Sequence, residues 1–133
     1  GNYLMKKKYL IVIADYYKNI SKGLLKSANE TLPESALIKT INVPGVFEIP
    51  ITISKNIKKF DGFLALGCVI KGQTPHFDFI SQASTHGIMK LSIENKKPIG
   101  NGIITCLTMK QAIARKNKGR EAAEAVISVL SQK

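Results

Sequence analysis

Apolar residues along the chain occur in two patterns, short continuous runs and stripes with helical spacing. The runs at 8–14 and 63–69 are almost wholly apolar, as is typical of strands buried on both faces of a sheet. Two further runs, at 36–43 and 98–105, are rich in Ile, Val and Leu but also contain polar residues or glycines. Together these runs predict four strands, at 8–14, 36–43, 63–69 and 98–105.

Stripes of apolar residues between and after these runs predict helices. Ile20, Leu24 and Ala28 follow one another at intervals of four, and Pro33 ends that stripe. Thr108, followed three residues later by Gln111, is the signature of a capping box at a helix start. The predicted helices lie at 20–32, 46–57, 76–94, 108–115 and 120–130.

Strands that alternate with helices predict right-handed crossovers and a parallel sheet. We therefore expect an α/β fold, a three-layer αβα sandwich around a four-stranded parallel sheet. The 133 residues suit one domain with one core, over 1–133. Residues 1–7 are expected to be either disordered or a cloning remnant.

Composition narrows the class of protein. With 44% hydrophobic and 22% charged residues the chain is typical of a globular protein, and no apolar run approaches the roughly 20 residues of a membrane span. Lysines before the run at 9–14 imitate a secretory signal, but Asp15 ends the run and no cleavage site follows. We expect a cytoplasmic protein without a membrane partner.

The two cysteines and the distribution of charge argue against disulfide-bonded, metal-binding and nucleic-acid-binding proteins. Cys68 and Cys106 lie in apolar runs, which favours buried free thiols over a disulfide, and His86 has no Cys or His at metal-ligand spacing. The net charge of +11 invites a nucleic-acid partner, but arginine occurs only at Arg115 and Arg120 and the lysines are dispersed. A solvated lysine-rich surface and anionic small-molecule substrates are the preferred interpretation, without nucleic acid.

Loops after the first three strands should meet at one edge of the sheet. In parallel sheets ligands bind beyond the carboxyl ends of the strands, which here precede 15–17, 45–48 and 72–76. The strand at 63–69, its Gly-containing loop and the helix start at His76 together predict an anion site with a proton carrier beside it. The alternative is that His76 is only a surface residue of a first helical turn, and the residues alone leave both interpretations open.

Four blocks resemble the lumazine synthase family in order and spacing. They are VPGVFEIP (43–50), ALGCVIKGQTPHFDF (65–79), PIGNGIITCLTMKQAIAR (98–115) and NKGREAA (117–123). The resemblance implies a flavodoxin-like fold and a condensation of 5-amino-6-(D-ribitylamino)uracil with 3,4-dihydroxy-2-butanone 4-phosphate in riboflavin biosynthesis. It also implies that no cofactor or metal is needed, and that homopentamers or their multiples hold active sites between subunits.

The resemblance also assigns roles to individual residues. His76 resembles the family's general acid/base, and Arg115 the residue that clamps the phosphate from the adjacent subunit. The remaining matched positions are implied to bind substrate: Tyr16, Val46, Phe47, Glu48, Val69, Ile70, Gln73, Thr74, Asn101 and Lys118.

Three departures from the family pattern stand out. Asn101 occupies a position where many members have a phenylalanine, and Asp15–Tyr16 stand where many have Arg–Phe. The loop 115–118 is several residues shorter than usual, so the sequence does not choose between pentamer, decamer and icosahedral shell.

The sequence is also compatible with several alternatives. Phe47 could be plain core, Glu48 a first-turn carboxylate that suits the helix dipole, and His86 a solvated residue. For the whole chain, the alternatives are an archaeal-type riboflavin synthase, a non-catalytic flavin-binding or lumazine-binding scaffold, and a basic RNA-binding module.

Overall fold

Four parallel strands form the centre of the computed structural model, which describes residues 6–73 and 75–132. The strands are β1 (Lys8–Ala14), β2 (Leu37–Val43), β3 (Gly62–Ile70) and β4 (Ile99–Cys106). Their order in the sheet is β2-β1-β3-β4, and every pairing is parallel. The predicted four-stranded parallel sheet is confirmed.

Helices cover both faces of the sheet. They are α1 (Lys18–Thr31), α2 (Ile49–Lys55), α3 (Phe77–Asn95), α4 (Met109–Ala114) and α5 (Gly119–Leu130). One core cluster joins alternate strand residues to α1, α4 and α5, and the other joins the remaining strand residues to α2 and α3. This is the predicted three-layer sandwich, and each predicted strand or helix other than 46–57 lies within two residues of its observed bounds.

The helix predicted at 46–57 is wrong in its form. The segment divides into a 3₁₀ turn (Val46–Glu48) followed by α2. Pro50 accounts for the division, because a residue without a backbone N–H fits only the first turn of an α-helix. The α-helix therefore begins at Ile49 rather than at Val46.

The capping box predicted at Thr108 forms, but one of its two hydrogen bonds has a different backbone partner from the standard one. The Thr108 hydroxyl accepts from the backbone N–H of Gln111 at 3.2 Å, as expected. The Gln111 side chain accepts from the N–H of Leu107 at 2.8 Å, one residue earlier than a standard box. Both contacts tie the end of β4 to the start of α4.

Residues 1–7 are predicted to be either disordered or a cloning remnant, and residues 1–5 lie outside the described residues. Lys7 does lie within them, and its carbonyl accepts from the N–H of Leu37 at 3.2 Å. Among the described residues, no helix is both long and apolar enough to cross a membrane.

Candidate active site

A cleft of about 270 Å³ opens beyond the carboxyl ends of β1, β2 and β3. The loops that follow these strands supply most of its wall, with Ile80 of α3 at the back. Its lining residues are Ala14, Tyr16, Tyr17, Gly45, Val46, Phe47, Cys68, Val69, Gln73, Pro75 and Ile80. None of them is charged, so the cleft itself offers aromatic, aliphatic and amide contacts.

Two of the three aromatic residues that line the cleft stand open to solvent, whereas Tyr17 is half-buried. The Tyr16 side chain is 71% exposed and that of Phe47 is 57% exposed. Tyr16 also packs edge-on against Tyr17, with ring centroids 4.9 Å apart. The structure thus removes the alternative that Phe47 is plain core, and leaves two aromatic faces free for a planar ligand.

Gly67 of β3 allows the turn that carries Phe47 to lie against the sheet. A Cβ atom on Gly67 would sit 2.9 Å from Cγ2 of Val46 and 3.3 Å from Cβ of Ala14. Val46 is buried, and Phe47, the next residue, projects into the cleft. A glycine in the strand and a buried valine in the turn therefore fix where the exposed ring stands.

His76 is the N-cap of α3 and directly follows a lining residue of the cleft, but it does not itself line the cleft. Its side chain is exposed and makes no capping hydrogen bond, while its carbonyl accepts from the N–H of Ile80 at 2.9 Å. Its neighbour Pro75 and the preceding Gln73 both line the cleft. The imidazole is thus available to a ligand, whereas Thr74, predicted to bind phosphate through its backbone, lies outside the described residues.

Glu48 and Ile70, both predicted to bind substrate, do not line this cleft. Glu48 lines a neighbouring groove with Pro50, and its Oε1 lies 3.1 Å from where a Cβ on Gly45 would be. Ile70 is 1% exposed, in the core under α1, α4 and α5. Ile70 is therefore not accessible to a ligand in this chain.

Arg115 caps the carboxyl end of α4 and points to the end of its own β4. Its Nη1 atom donates to the carbonyl oxygen of Thr105 at 3.4 Å and lies 3.9 Å from Sγ of Cys106. Arg115 is exposed and lines no part of the cleft that holds Phe47.

Lys118 and Asn101 are likewise apart from the cleft. The Lys118 ammonium pairs with the Glu121 carboxylate at 3.0 Å, at the start of α5. Asn101 is exposed on the edge strand β4, four residues before Thr105, which is ~13 Å along a strand. The predicted residues therefore form two groups, one around the cleft and one on β4, α4 and the start of α5.

The cysteines are free and buried, as predicted. Burial raises the pKa of the Cys68 thiol to about 12, and the neighbouring Cys106 thiol adds to the shift. Cys68 is therefore a neutral wall of the cleft near pH 7 and not a nucleophile. Among the described residues, no group of three or more His, Cys, Asp or Glu side chains could hold a metal ion.

Sequence reasoning missed several lining residues of the cleft. Ala14 and Cys68 end or nearly end buried strands, and Ile80 belongs to the first turn of α3. Tyr17, Gly45 and Pro75 lay in loops that were predicted to meet at this edge, but they were not assigned to the site. Their position in the loops at the carboxyl ends of neighbouring strands is the sequence feature that could have identified them as site residues.

The chain is similar in sequence to one protein family over nearly its whole length. The model of the 6,7-dimethyl-8-ribityllumazine synthase family matches residues 6–133. A 6,7-dimethyl-8-ribityllumazine synthase of Bartonella henselae is 43% identical, covering 96% of this chain and 89% of the relative. One of Bartonella tribocorum is 42% identical over 97% and 93%, and one of Corynebacterium kroppenstedtii is 38% identical over 88% and 79%.

Proposed function

This chain belongs to the 6,7-dimethyl-8-ribityllumazine synthase family, transferases of riboflavin biosynthesis, and we propose that it catalyses the condensation that its resemblance implies. The substrates are 5-amino-6-(D-ribitylamino)uracil and 3,4-dihydroxy-2-butanone 4-phosphate, and the products are 6,7-dimethyl-8-ribityllumazine, phosphate and water. The proposal rests on the cleft between Tyr16, Phe47 and Gln73, in a chain whose family is established.

The two exposed aromatic rings suit the pyrimidine substrate. A planar heterocycle gains roughly 1–3 kcal/mol from an aromatic stacking partner, by analogy with base stacking. Tyr16 and Phe47 present such faces at the mouth of the cleft. Glu48, in the adjoining groove, offers a carboxylate to hydroxyl groups of the ribityl chain.

His76 is the proton carrier of the proposed reaction. An amine of the pyrimidine attacks the ketone to form an imine, phosphate leaves, and ring closure completes the lumazine. Each step moves a proton, and histidine donates and accepts protons near neutral pH. The absence of a hydrogen bond to the His76 side chain among the described residues leaves the imidazole free for this task.

Arg115 and Lys118 serve the site of a neighbouring subunit in this proposal. A guanidinium offers a fork of donors to a phosphate, but Arg115 lies outside the cleft of its own chain. In a ring with head-to-tail interfaces, one chain presents its β4 and α4 side to the cleft of the next. We propose homopentamers, in which Asn101 reaches the same interface.

The first test is an absorbance assay for the lumazine. Purified protein is mixed with both substrates, and product formation is compared with the spontaneous background. We expect acceleration with the wild type and a loss of at least about tenfold in Arg115→Ala, because one charged donor pair to the phosphate is removed. A folded oligomer that does not accelerate the reaction would reject the synthase and favour a scaffold or a lumazine-dismutating enzyme.

A further inference from the structure

A second groove lies on the face of the sheet covered by α1, α4 and α5. It has a volume of about 310 Å³ and runs between α1 and the junction of α4 with α5. It shares no lining residue with the substrate cleft. Three lysines line it, Lys22 and Lys26 from α1 and Lys116 from the junction.

These lysines have no acidic partner within the part of the chain that the structure describes. The ion pairs found there join Lys90 to Glu94 and Lys118 to Glu121. Glu30 lines the groove but does not form an ion pair with any of the three lysines. The groove therefore carries an excess of positive charge that an anion would neutralise.

The fold holds the three lysines together although they are far apart in sequence. The aliphatic stem of Lys116 lies across Gly23, where an added Cβ would sit 2.8 Å from its Cβ and Cγ atoms. Lys22 and Lys26 flank that glycine on α1, and Lys18 continues the same row by one more turn. Residues four apart on a helix share a face and are separated by ~6 Å along the axis.

The sequence predicts no nucleic-acid partner because its lysines are dispersed, but the fold gathers three of them here, and we propose that this groove binds the phosphate backbone of a single-stranded nucleic acid. A row of lysines along one helix matches a flexible chain of regularly spaced negative charges better than it matches a single small anion. Asn19 and Asn117 at its walls add amide donors for phosphate oxygens. Among the described residues, no aromatic side chain lines the groove, so it offers no stacking partner for bases, and binding should be independent of sequence.

Lys116 stands between Arg115 and Lys118, which the proposed ring brings to the neighbouring subunit, whereas Lys22 and Lys26 lie on α1, outside the elements placed at that interface. Protein–protein interfaces are depleted in lysine, so a groove lined by three unpaired lysines is a poor candidate for a subunit contact. The net charge of +11 adds a long-range attraction for polyanions. The inference is independent of the proposed catalytic role, because none of the three lysines belongs to it.

Binding is tested by fluorescence anisotropy with a labelled oligouridine of about 16 nucleotides. The full chain is titrated at several salt concentrations between about 50 and 200 mM. The test variant is Lys22→Gln/Lys26→Gln/Lys116→Gln. The matched control is Lys39→Gln/Lys58→Gln/Lys59→Gln, which removes the same charge from exposed positions that do not line the groove.

The wild type is expected to bind with a steep salt dependence. Each lost phosphate contact lowers the slope of log K against log[salt] by about 0.7, so the groove variant should lose about 2 units of slope. It should also bind at least about tenfold more weakly at low salt, whereas the control stays within about twofold. Equal losses in the two variants, or no binding by the wild type at low salt, would overturn the proposal.

Discussion

The Nη1 atom of Arg115 lies 3.4 Å from the carbonyl oxygen of Thr105, so the guanidinium is held at the end of its own β4. Arg115 does not line the cleft, whose wall includes Gln73 and Pro75 next to His76. In our proposal one chain therefore carries two separate half-sites, and a complete site needs His76 from one subunit and Arg115 from the next.

This arrangement predicts complementation between two impaired variants. His76→Ala and Arg115→Ala subunits, co-expressed and purified as mixed oligomers, should form about a quarter of their sites from intact halves. The lumazine assay should then give clearly more activity than the mean of the two separate variants. The control is the same pair mixed after each has assembled; a co-expressed mixture no better than the mean would place both groups in one subunit's site.

Replacing His76 should slow the reaction without abolishing it. General acid/base catalysis typically contributes 10²–10⁴-fold, and the orientation of two bound substrates supplies a further share that the variant keeps. We expect His76→Ala to lower kcat by about 10²-fold and to retain a rate above background. The control is His86→Ala, an exposed position in α3, which should keep the wild-type rate.

Either of two results with His76→Ala would contradict the assignment. An unchanged kcat would mean that no essential proton passes through the imidazole. A fall to the spontaneous rate would mean that the side chain organises the whole site. In both cases the exposed His76 would need another role than the one proposed.

The sequence predicted the layers well because burial leaves a local pattern. The run in β3 is apolar at nearly every position, and all nine of its residues are buried between two helical layers. The loops after β1, β2 and β3 meet at one edge because parallel strands impose it, so Tyr16, Phe47 and Gln73 could be placed together in advance.

Tertiary contacts set the features that the sequence did not predict. The contact of Arg115 with Thr105 joins residues ten apart, and its direction depends on how α4 docks. The lysine groove depends on Lys116 crossing Gly23, a contact between distant segments that dispersed charges do not reveal. Local patterns carry no information on either contact.

Helices α1 and α5 pack so closely at Gly119 that a larger residue there should destabilise the fold. A Cβ on Gly119 would lie 2.0 Å from the carbonyl oxygen of Leu24, so an alanine there must push the helices apart. We expect Gly119→Ala to lower the free energy of unfolding by at least about 2 kcal/mol in urea denaturation. Gly72→Ala is the control, since its nearest contact is the carbonyl oxygen of Leu107 at 3.7 Å, and it should stay within about 0.5 kcal/mol.

Alkaline pH should destabilise the protein through Cys68. Burial raises the pKa of this thiol from its ordinary value of 9.0 to about 12. In the unfolded chain the thiol ionises above about pH 9, whereas the folded chain keeps its proton until about pH 12. The titration of Cys68 thus leaves the free energy of unfolding unchanged well below pH 9 and lowers it between pH 9 and 12, by up to about 1.4 kcal/mol per pH unit.

Removing the thiol tests this linkage. Urea denaturation at a series of pH values from about 8 to 11 should show a shallower alkaline decline for Cys68→Ala than for the wild type. Val69→Ala is the matched control, because it truncates another buried residue of β3 but removes no titrating group, and so should shift the curve without changing its slope. Tyr9, whose pKa burial also raises, contributes equally to all three proteins. Parallel curves for Cys68→Ala and the wild type would show that the buried thiol ionises as readily in the folded chain as in the unfolded one.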